Sequence, residues 1–554
     1  MTDDIRALQA ALGDAEKLGN WPEADRIYKT LRGLIDLDAL QIAQHAKIIF
    51  NMGDDARAAT MTRRALRRAP GDVTITLQLA NIYSSQKQYE KAEEQFRNVL
   101  TIEPSSVEAM RRLALVMQES GKNPEEAEKL VRKVVALEPN DVQAWLQLGA
   151  LCANVRHRYD DAEAAFSRAL ELAPDTASAL HNYGLLKRFQ GDLDQAVKYL
   201  KRACEVYPDE SDFAFSLGSC YLYMEEAETA LQWFDRAVQI DPKNNAAQVY
   251  KAFALFHLGR DDDAWNQYEK RLELKEFVDA NYERPRWCGE DISGLPLLLL
   301  SEQGMGDNLQ FVRYAESAAA RGAKVIVMTH KPLVRLFESL RGVQSVVNGI
   351  PEAKNFHRYS PLMSMPLVFG TTKEDVPQNV PYLAAPDHLL ESWRERLSVY
   401  SGFRVGLCWR GNSQHVNDRF RSSSLQEIST LLDIPGCSFF SLHKERPDFE
   451  QELPDGIVDI GSDFDDFADT AAAMDALDLV ISVDTSVCHV AGAIGCATWT
   501  LIARGPDFRW GLDVKSTPWY PTMKLYRQDT LGEWSPVYAR MREDLSALSA
   551  HSRS

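Results

Sequence analysis

The sequence predicts two architectures in series, an all-helical repeat array followed by a pair of α/β lobes. Three observations predict it. Pro70, Pro104, Pro139, Pro174, Pro208 and Pro242 recur at separations of 34, 35, 35, 34 and 34 residues. After residue 276 that period stops, and short β-rich runs begin to alternate with helical stretches. The alternation occurs twice, on either side of a proline-bearing stretch, 371–392, that contains Pro377, Pro381 and Pro386 and reads as a linker.

The helical array follows from the spacing. A period of about 34 residues is that of the tetratricopeptide repeat, a pair of antiparallel helices. Before each proline a small-large-small pattern returns, as in Ala92, Phe96 and Val99, in Ala162, Phe166 and Ala169, and in Ala230, Phe234 and Ala237. Leu79-Ala80 with Tyr83, Trp145 with Leu148-Gly149, and Leu217-Gly218 with Tyr221 mark the earlier helix of the pair. Small residues let two helices approach, an aromatic fills the space beyond, and proline stops the second helix. With divergent units around Gly19, Gly53 and Gly259, the pattern predicts about seven hairpins. Such an array presents a surface for another protein or peptide. Asn81, Tyr83, Asn182 and Tyr183 either line that surface or pack the helices.

Bulk composition is consistent with this division. A chain of 554 residues exceeds one core, and its 45% apolar content is that of a folded protein. A net charge of −18 excludes general binding to a nucleic-acid backbone, while a local basic cleft for a small anion stays open. The start, Met1-Thr2-Asp3-Asp4, has no basic region leading into an apolar run, and the most apolar stretch, 477–503, is interrupted by Asp478, Asp484 and His489. The expectation is a cytoplasmic protein without a membrane span. The eight cysteines show no zinc-type spacing with histidine and read as reduced thiols.

In the first α/β lobe, strands are expected at 295–300, 324–329 and 343–347, with helices at 308–321 and 331–340. In the second, strands are expected at 403–409, 437–442, 457–460, 479–483 and 497–503. Strand-helix succession implies parallel sheets whose loops at the strand C-termini carry the chemistry.

Three of those loops carry candidate residues. Ser301-Glu302-Gln303-Gly304-Met305-Gly306-Asp307-Asn308 passes from strand to helix, with Gln303, Gly304 and Gly306 in the loop. Its glycines allow close backbone approach, and Asp307 is either a helix cap or a catalytic base. Asp484-Thr485-Ser486 with His489 joins hydroxyl groups to a helix start, a phosphate-binding arrangement. Arg410-Gly411-Asn412, followed by Asn417 and Arg421, is a basic and amide-rich loop suited to a pyrophosphate. His443 and Lys444, ending the next strand, are directed to the same cleft.

Taken together, these motifs resemble a known family. Gly304-x-Gly306-Asp307, Gly411-Asn412 with Asn417-Asp418-Arg419-x-Arg421, and Asp484-Thr485-Ser486-x-x-His489-x-Ala491-Gly492-Ala493 are similar to those of bacterial tetratricopeptide-linked glycosyltransferases. These are heptosyltransferase-like in the catalytic lobes and laid out like the O-GlcNAc transferase. Pro506-Asp507-Phe508-Arg509-Trp510 and Pro518-Trp519-Tyr520-Pro521 extend the match, which spans nearly the whole chain and is most specific over 477–528. The nearest subgroup is the flagellin-modifying transferases, which use activated nonulosonic acids such as pseudaminic acid.

What the resemblance implies is a repeat superhelix over residues 1–275, followed by a metal-independent GT-B enzyme. Its acceptor lobe would be 276–385 and its donor lobe 386–554. Asp307 matches the catalytic aspartate, Arg421 the residue holding the donor phosphates, Thr485 and Ser486 the phosphate-site hydroxyls, and Asp484 and His489 positions bordering the nucleotide. Arg410 and Cys488 depart from the family pattern, where a small residue and alanine are usual. The expected activity is inverting transfer of a sugar to Ser or Thr of a protein held by the repeats, flagellin being one candidate. It needs no cofactor beyond a CMP-, UDP- or otherwise nucleotide-linked donor. A non-catalytic adaptor with vestigial lobes and a glycolipid or heptosyl transferase are the alternative readings.

Overall fold

The computed structural model describes residues 2–153, 158–274, 284–302, 304–413, 415, 417–446, 452–505, 507–512 and 514–551. The expected boundary at 275/276 and the loop residue Gln303 lie outside them. The chain groups into two compact units. One comprises Met1–Gln190 with Glu205–Tyr207, the other Gly191–Cys204 with Pro208–Ser554. The second unit therefore includes repeat helices as well as both α/β sheets.

The first unit is helical from Thr2–Lys17 to Ala177–Gln190. Local signals start and stop its helices. Asp38 and Gln41 form a reciprocal capping box at Ala39–Asn51, and Gly121 closes Val107–Ser120 in the left-handed conformation. The alanines and aromatics picked out by the period are buried, among them Ala92, Phe96, Ala162 and Phe166. Gly149 shows why a side chain is excluded at that point of the pattern: a Cβ there would lie 2.4 Å from the Phe166 ring. Along the described residues sixteen repeat helices follow one another, making eight periods where about seven were expected. The unit ending at Pro70 is a regular one, and a further pair without a terminal proline flanks the six proline-marked units at each end.

In the second unit Gly218 repeats the device, its absent Cβ leaving room for the Phe234 ring at 2.8 Å. Phe234 is fully buried and packs at 6.1 Å from both Phe215 and Tyr250. Phe234→Ala is expected to cost about 3–5 kcal/mol through lost burial and a cavity. Denaturant unfolding of the full chain checks this value.

The first sheet contains β1 Pro296–Leu300, β2 Lys324–Met328, β3 Val343–Val347 and β4 Arg358–Pro361. All pairs are parallel, in the order β3-β2-β1-β4. The second contains β5 Phe403–Cys408, β6 Cys437–Ser441, β7 Ile457–Asp459, β8 Leu479–Val483, β9 Thr498–Ile502 and β10 Met523–Arg527. It is also parallel throughout, ordered β10-β9-β8-β5-β6-β7. Its strands are buried on both faces. Cys408, Phe440 and Val480 join one core, while Val405, Leu407 and Ile481 join another with Val537, Tyr538 and Met541 of the C-terminal helix Ser535–His551. The strand order reverses direction between β5 and β8, which opens a crevice at their carboxyl ends where open α/β sheets bind ligands.

Three local expectations are corrected. The single helix at 308–321 is two, Met305–Phe311 and Tyr314–Ala320, broken where buried Arg313 turns its Nε onto the Gln310 carbonyl at 2.9 Å. The helix at 331–340 shortens to a 3-10 turn, Lys331–Leu333, and the single turn Val334–Phe337. The linker at 371–392 is anchored: Tyr382 donates its hydroxyl to the Leu309 carbonyl at 2.8 Å, and a helix already begins at Asp387. No described helix is long and apolar enough to cross a membrane.

Candidate functional site

A cleft of about 690 Å³ within the second unit collects the loops that follow β1, β5, β8 and β9. Its volume is in the range of small-molecule sites. One wall is unexpected from sequence: Tyr223, Tyr250, Phe253 and Tyr268, all from the last two repeat hairpins, line the same cavity.

The second-lobe side is built around Arg421. The guanidinium donates through Nη1 to the Asp484 carbonyl at 3.0 Å and through Nε to Asp418 at 3.4 Å. It therefore rests at the end of β8, beside Thr485 and the start of the helix Ser486–Ala493. Gly411 is required there because a Cβ would lie 2.6 Å from the guanidinium. Its N–H donates to Ser422 Oγ at 2.9 Å, and that hydroxyl donates to Asp418 at 2.7 Å, tying the loop to the short helix Asp418–Arg421. Asn412 and Asn417 also line the cavity. Asn417 accepts the Tyr223 hydroxyl at 2.5 Å, and Gly505 N–H donates to Glu225 at 3.3 Å. Gly505 adopts φ +65° and a Cβ there would sit 2.7 Å from Tyr223 Cα, so the repeat turn presses directly on the loop after β9.

His489 lies one turn into the helix Ser486–Ala493. Its Nδ1 pairs with the Tyr520 hydroxyl at 2.8 Å and its ring stacks on Trp510 at 5.5 Å. Burial, with Arg509 and Arg313 nearby, holds its pKa well below the ordinary histidine range. His489 is therefore a neutral ring at neutral pH. Gly306 of the first lobe packs on it, since a Cβ would approach the imidazole to 2.7 Å.

Asp307 caps its helix, the first of the two roles that its sequence allowed. One carboxylate oxygen accepts the Gly304 N–H at 3.1 Å, capping the helix Met305–Phe311. The other forms an ion pair with Arg509, 202 positions away. Arg509 is held in turn by Asp507 at 2.7 Å and by Gln310 at 2.6 Å. The Asp307 side chain is 20% exposed toward the cleft. Burial raises its pKa above the ordinary carboxylate value, with Arg509 pulling the other way. Burial likewise raises Asp484, and the Asp507 charge adds to the effect.

Sequence reasoning missed several lining residues. Arg509 and Asp507 stood in the matched tail motif without a role, and only their proximity to Asp307 supplies one. His415 also lines the cavity; its Nδ1 accepts the Asn417 N–H at 3.2 Å, leaving Nε2 as the protonated nitrogen when the ring is neutral. Burial lowers its pKa.

Arg410, His443 and Lys444 do not line the cavity. Lys444 donates to the Asp465 carbonyl at 2.5 Å. His443 accepts the Trp409 N–H at 3.1 Å, packs edge-on against that indole, and is pushed down by burial to about 3. It is a neutral structural acceptor. Below the unfolded pKa of about 6.5, the unfolded chain takes a proton that the native ring refuses, so this group costs stability as pH falls from about 6.5 to about 3. His443→Gln keeps an acceptor for the Trp409 N–H. Its melting temperature is expected to fall less steeply than wild type between pH 6.5 and 4, as a calorimetric pH series would read.

Asp484, Cys488 and His489 bring one potential metal-ligand atom each within 4.8 Å of one another. The set fits a metal poorly. Cys488 donates its thiol to the Thr485 carbonyl at 3.0 Å, and burial raises its pKa well above the usual value, whereas metal binding needs the thiolate.

Three tetratricopeptide repeat family models match residues 85–152, 141–209 and 181–245. Protein FlbA of Caulobacter vibrioides is 25% identical over 335 residues, covering 55% of this chain and 55% of that protein. The chain thus spans about half the length of the curated relative it matches. A tetratricopeptide repeat protein from Parabacteroides merdae is 18% identical, covering 46% of this chain and 99% of its own, with a TM-score of 0.40. The type IV pilus biogenesis factor PilW is 23% identical, covering 38% and 97%, with a TM-score of 0.36. With its period, its buried small-large pattern and the three family models, residues 85–245 are tetratricopeptide repeats, followed in the chain by an α/β region of two parallel sheets.

Proposed function

We propose that the chain transfers a sugar from a nucleotide-linked donor to a hydroxyl of a protein acceptor. One observation carries the reading: Asp307 and the phosphate-type helix start at Thr485 and Ser486, with Arg421 beside it, face a single cleft. Asp307 takes the proton of the acceptor hydroxyl as its oxygen bonds to the sugar's anomeric carbon and the bond to the donor phosphate breaks. Arg421 and the helix N–H groups offset the charge on the departing phosphate. Burial raises the Asp307 pKa above the ordinary carboxylate value, the direction that makes a carboxylate a stronger base, while Arg509 pulls the other way. The repeat-derived wall of Tyr223, Tyr250 and Phe253 is the side from which a protein side chain would enter. Flagellin as acceptor and an activated nonulosonic acid as donor are the specific pair that the family resemblance suggests.

Co-expression with a candidate acceptor followed by intact-mass spectrometry tests the reading. A mass increment with the wild-type chain that vanishes with Asp307→Asn supports it. No increment with any acceptor, together with no nucleotide binding, would favour the non-catalytic adaptor. Deletion of residues 1–270 does not separate a protein acceptor from a glycolipid one, because it also strips Tyr223, Tyr250, Phe253 and Tyr268 from the cleft. The informative cut is at the compact-unit boundary, after Gln190.

A further inference from the structure

The repeat array ends in a 3-10 turn, Glu269–Glu273, that carries Arg271. Its side chain has no exposed surface, and its guanidinium makes a two-pronged ion pair with Glu302, Nη2 lying 3.0 Å from each carboxylate oxygen and Nε 3.2 Å from Oε1. Nη2 also donates to Ser364 Oγ at 2.7 Å and Nη1 to Glu269 at 2.6 Å, while the charge sits 4.9 Å over the Tyr268 ring. Glu302 is itself 5% exposed and accepts the Met363 N–H at 2.9 Å. It is the second residue of the loop that leaves β1 and delivers Asp307. From Glu302 the hydrogen bonding runs into that loop: its N–H donates to Asn308 Oδ1 at 3.1 Å, Asn308 Nδ2 donates to the Gly304 carbonyl at 3.1 Å, and the Gly304 N–H donates to Asp307. Asn308 is fully buried.

We infer that Arg271 is a positioning residue: a repeat-array arginine that, through Glu302, holds the Asp307 loop in place. It touches neither the cleft's donor side nor Asp307 directly, and its effect on transfer rests on the reaction proposed above. A buried ion pair contributes little net stability when both partners are replaced together, but leaves a costly unpaired charge when one is removed. This separates positioning from folding. In the full-length chain, Arg271→Met with Glu302→Gln removes both charges, and the new side-chain amide oxygen still accepts the Met363 N–H.

The expected result is a melting temperature within a few degrees of wild type, with amide exchange over 301–308 about tenfold faster. Sugar transfer should lose about 10²-fold in kcat, the typical cost of a misplacement of roughly 1 Å, at unchanged nucleotide affinity. Exchange and kcat both within about twofold of wild type in a folded double variant would overturn the inference. If the double variant fails to fold, Arg271→Lys carries the same readouts. It keeps the charge and loses the fork, so unchanged exchange there overturns the inference equally. If the wild-type chain transfers no sugar, the proposed reaction falls while the exchange measurement still decides the clamp.

Discussion

Asp307→Asn is expected to lower kcat for sugar transfer by about 10²–10⁴, the usual contribution of a positioned general base. The substitution keeps the helix cap and gives up the ion pair with Arg509. An asparagine oxygen still accepts the Gly304 N–H, and Arg509 retains Asp507 and Gln310 as partners. Two opposing effects set its stability: the asparagine Nδ2 faces the Arg509 guanidinium where a carboxylate oxygen stood, while a buried carboxylate is removed. A carboxyl whose folded pKa is raised favours the native state below its unfolded pKa and loses that contribution as pH rises through the folded value. Replacing it by a neutral amide therefore removes a burial cost at neutral pH. The pH dependence is the sharper readout. Wild-type transfer should fall as pH drops through the raised Asp307 pKa and the base becomes protonated, and the residual rate of the variant should lack that limb. A variant within about threefold of wild type would remove Asp307 from the chemistry.

Arg421→Met should weaken binding of nucleoside phosphates by about 10- to 100-fold, the equivalent of the roughly 1.5–3 kcal/mol that a hydrogen bond to a charged group contributes. Gly411→Ala should act in the same direction without removing any charge. Its methyl group would come within 2.6 Å of the Arg421 guanidinium and displace it from the end of β8. Titration calorimetry with UDP, GDP and CMP on the full chain measures both variants. Wild-type binding in each would show that the phosphate is held elsewhere, whereas loss in both would tie affinity to the position of Arg421 and not only to its charge.

The repeat array was legible in the sequence because its rules are local. A proline halts the second helix of six of the eight hairpins within two residues, and alanine or glycine opposite phenylalanine is set by contact between adjacent helices of one hairpin. Most strands were equally legible as short apolar runs. β4, with Arg358-Tyr359-Ser360-Pro361, and β10, with charged residues alternating among apolar ones, lack such a run and were not anticipated. The break at Arg313 was hidden because it depends on where that buried arginine finds carbonyl partners, one of them Trp519.

For the site, the sequence by itself determined which residue types stand at strand ends: an aspartate after β1, hydroxyl groups after β8, an arginine in the loop after β5. Tertiary structure decided everything that requires residues far apart in the chain to meet. It paired Asp307 with Arg509, withdrew His443 and Lys444 from the cleft, and made His489 neutral by burial. It also turned the final repeats from a separate binding arm into one wall of the cavity and, through Arg271, into a brace for the loop carrying Asp307. The physical reason is that backbone conformation follows from neighbours in sequence, whereas the charge state and partner of a side chain follow from what strand order and packing bring beside it.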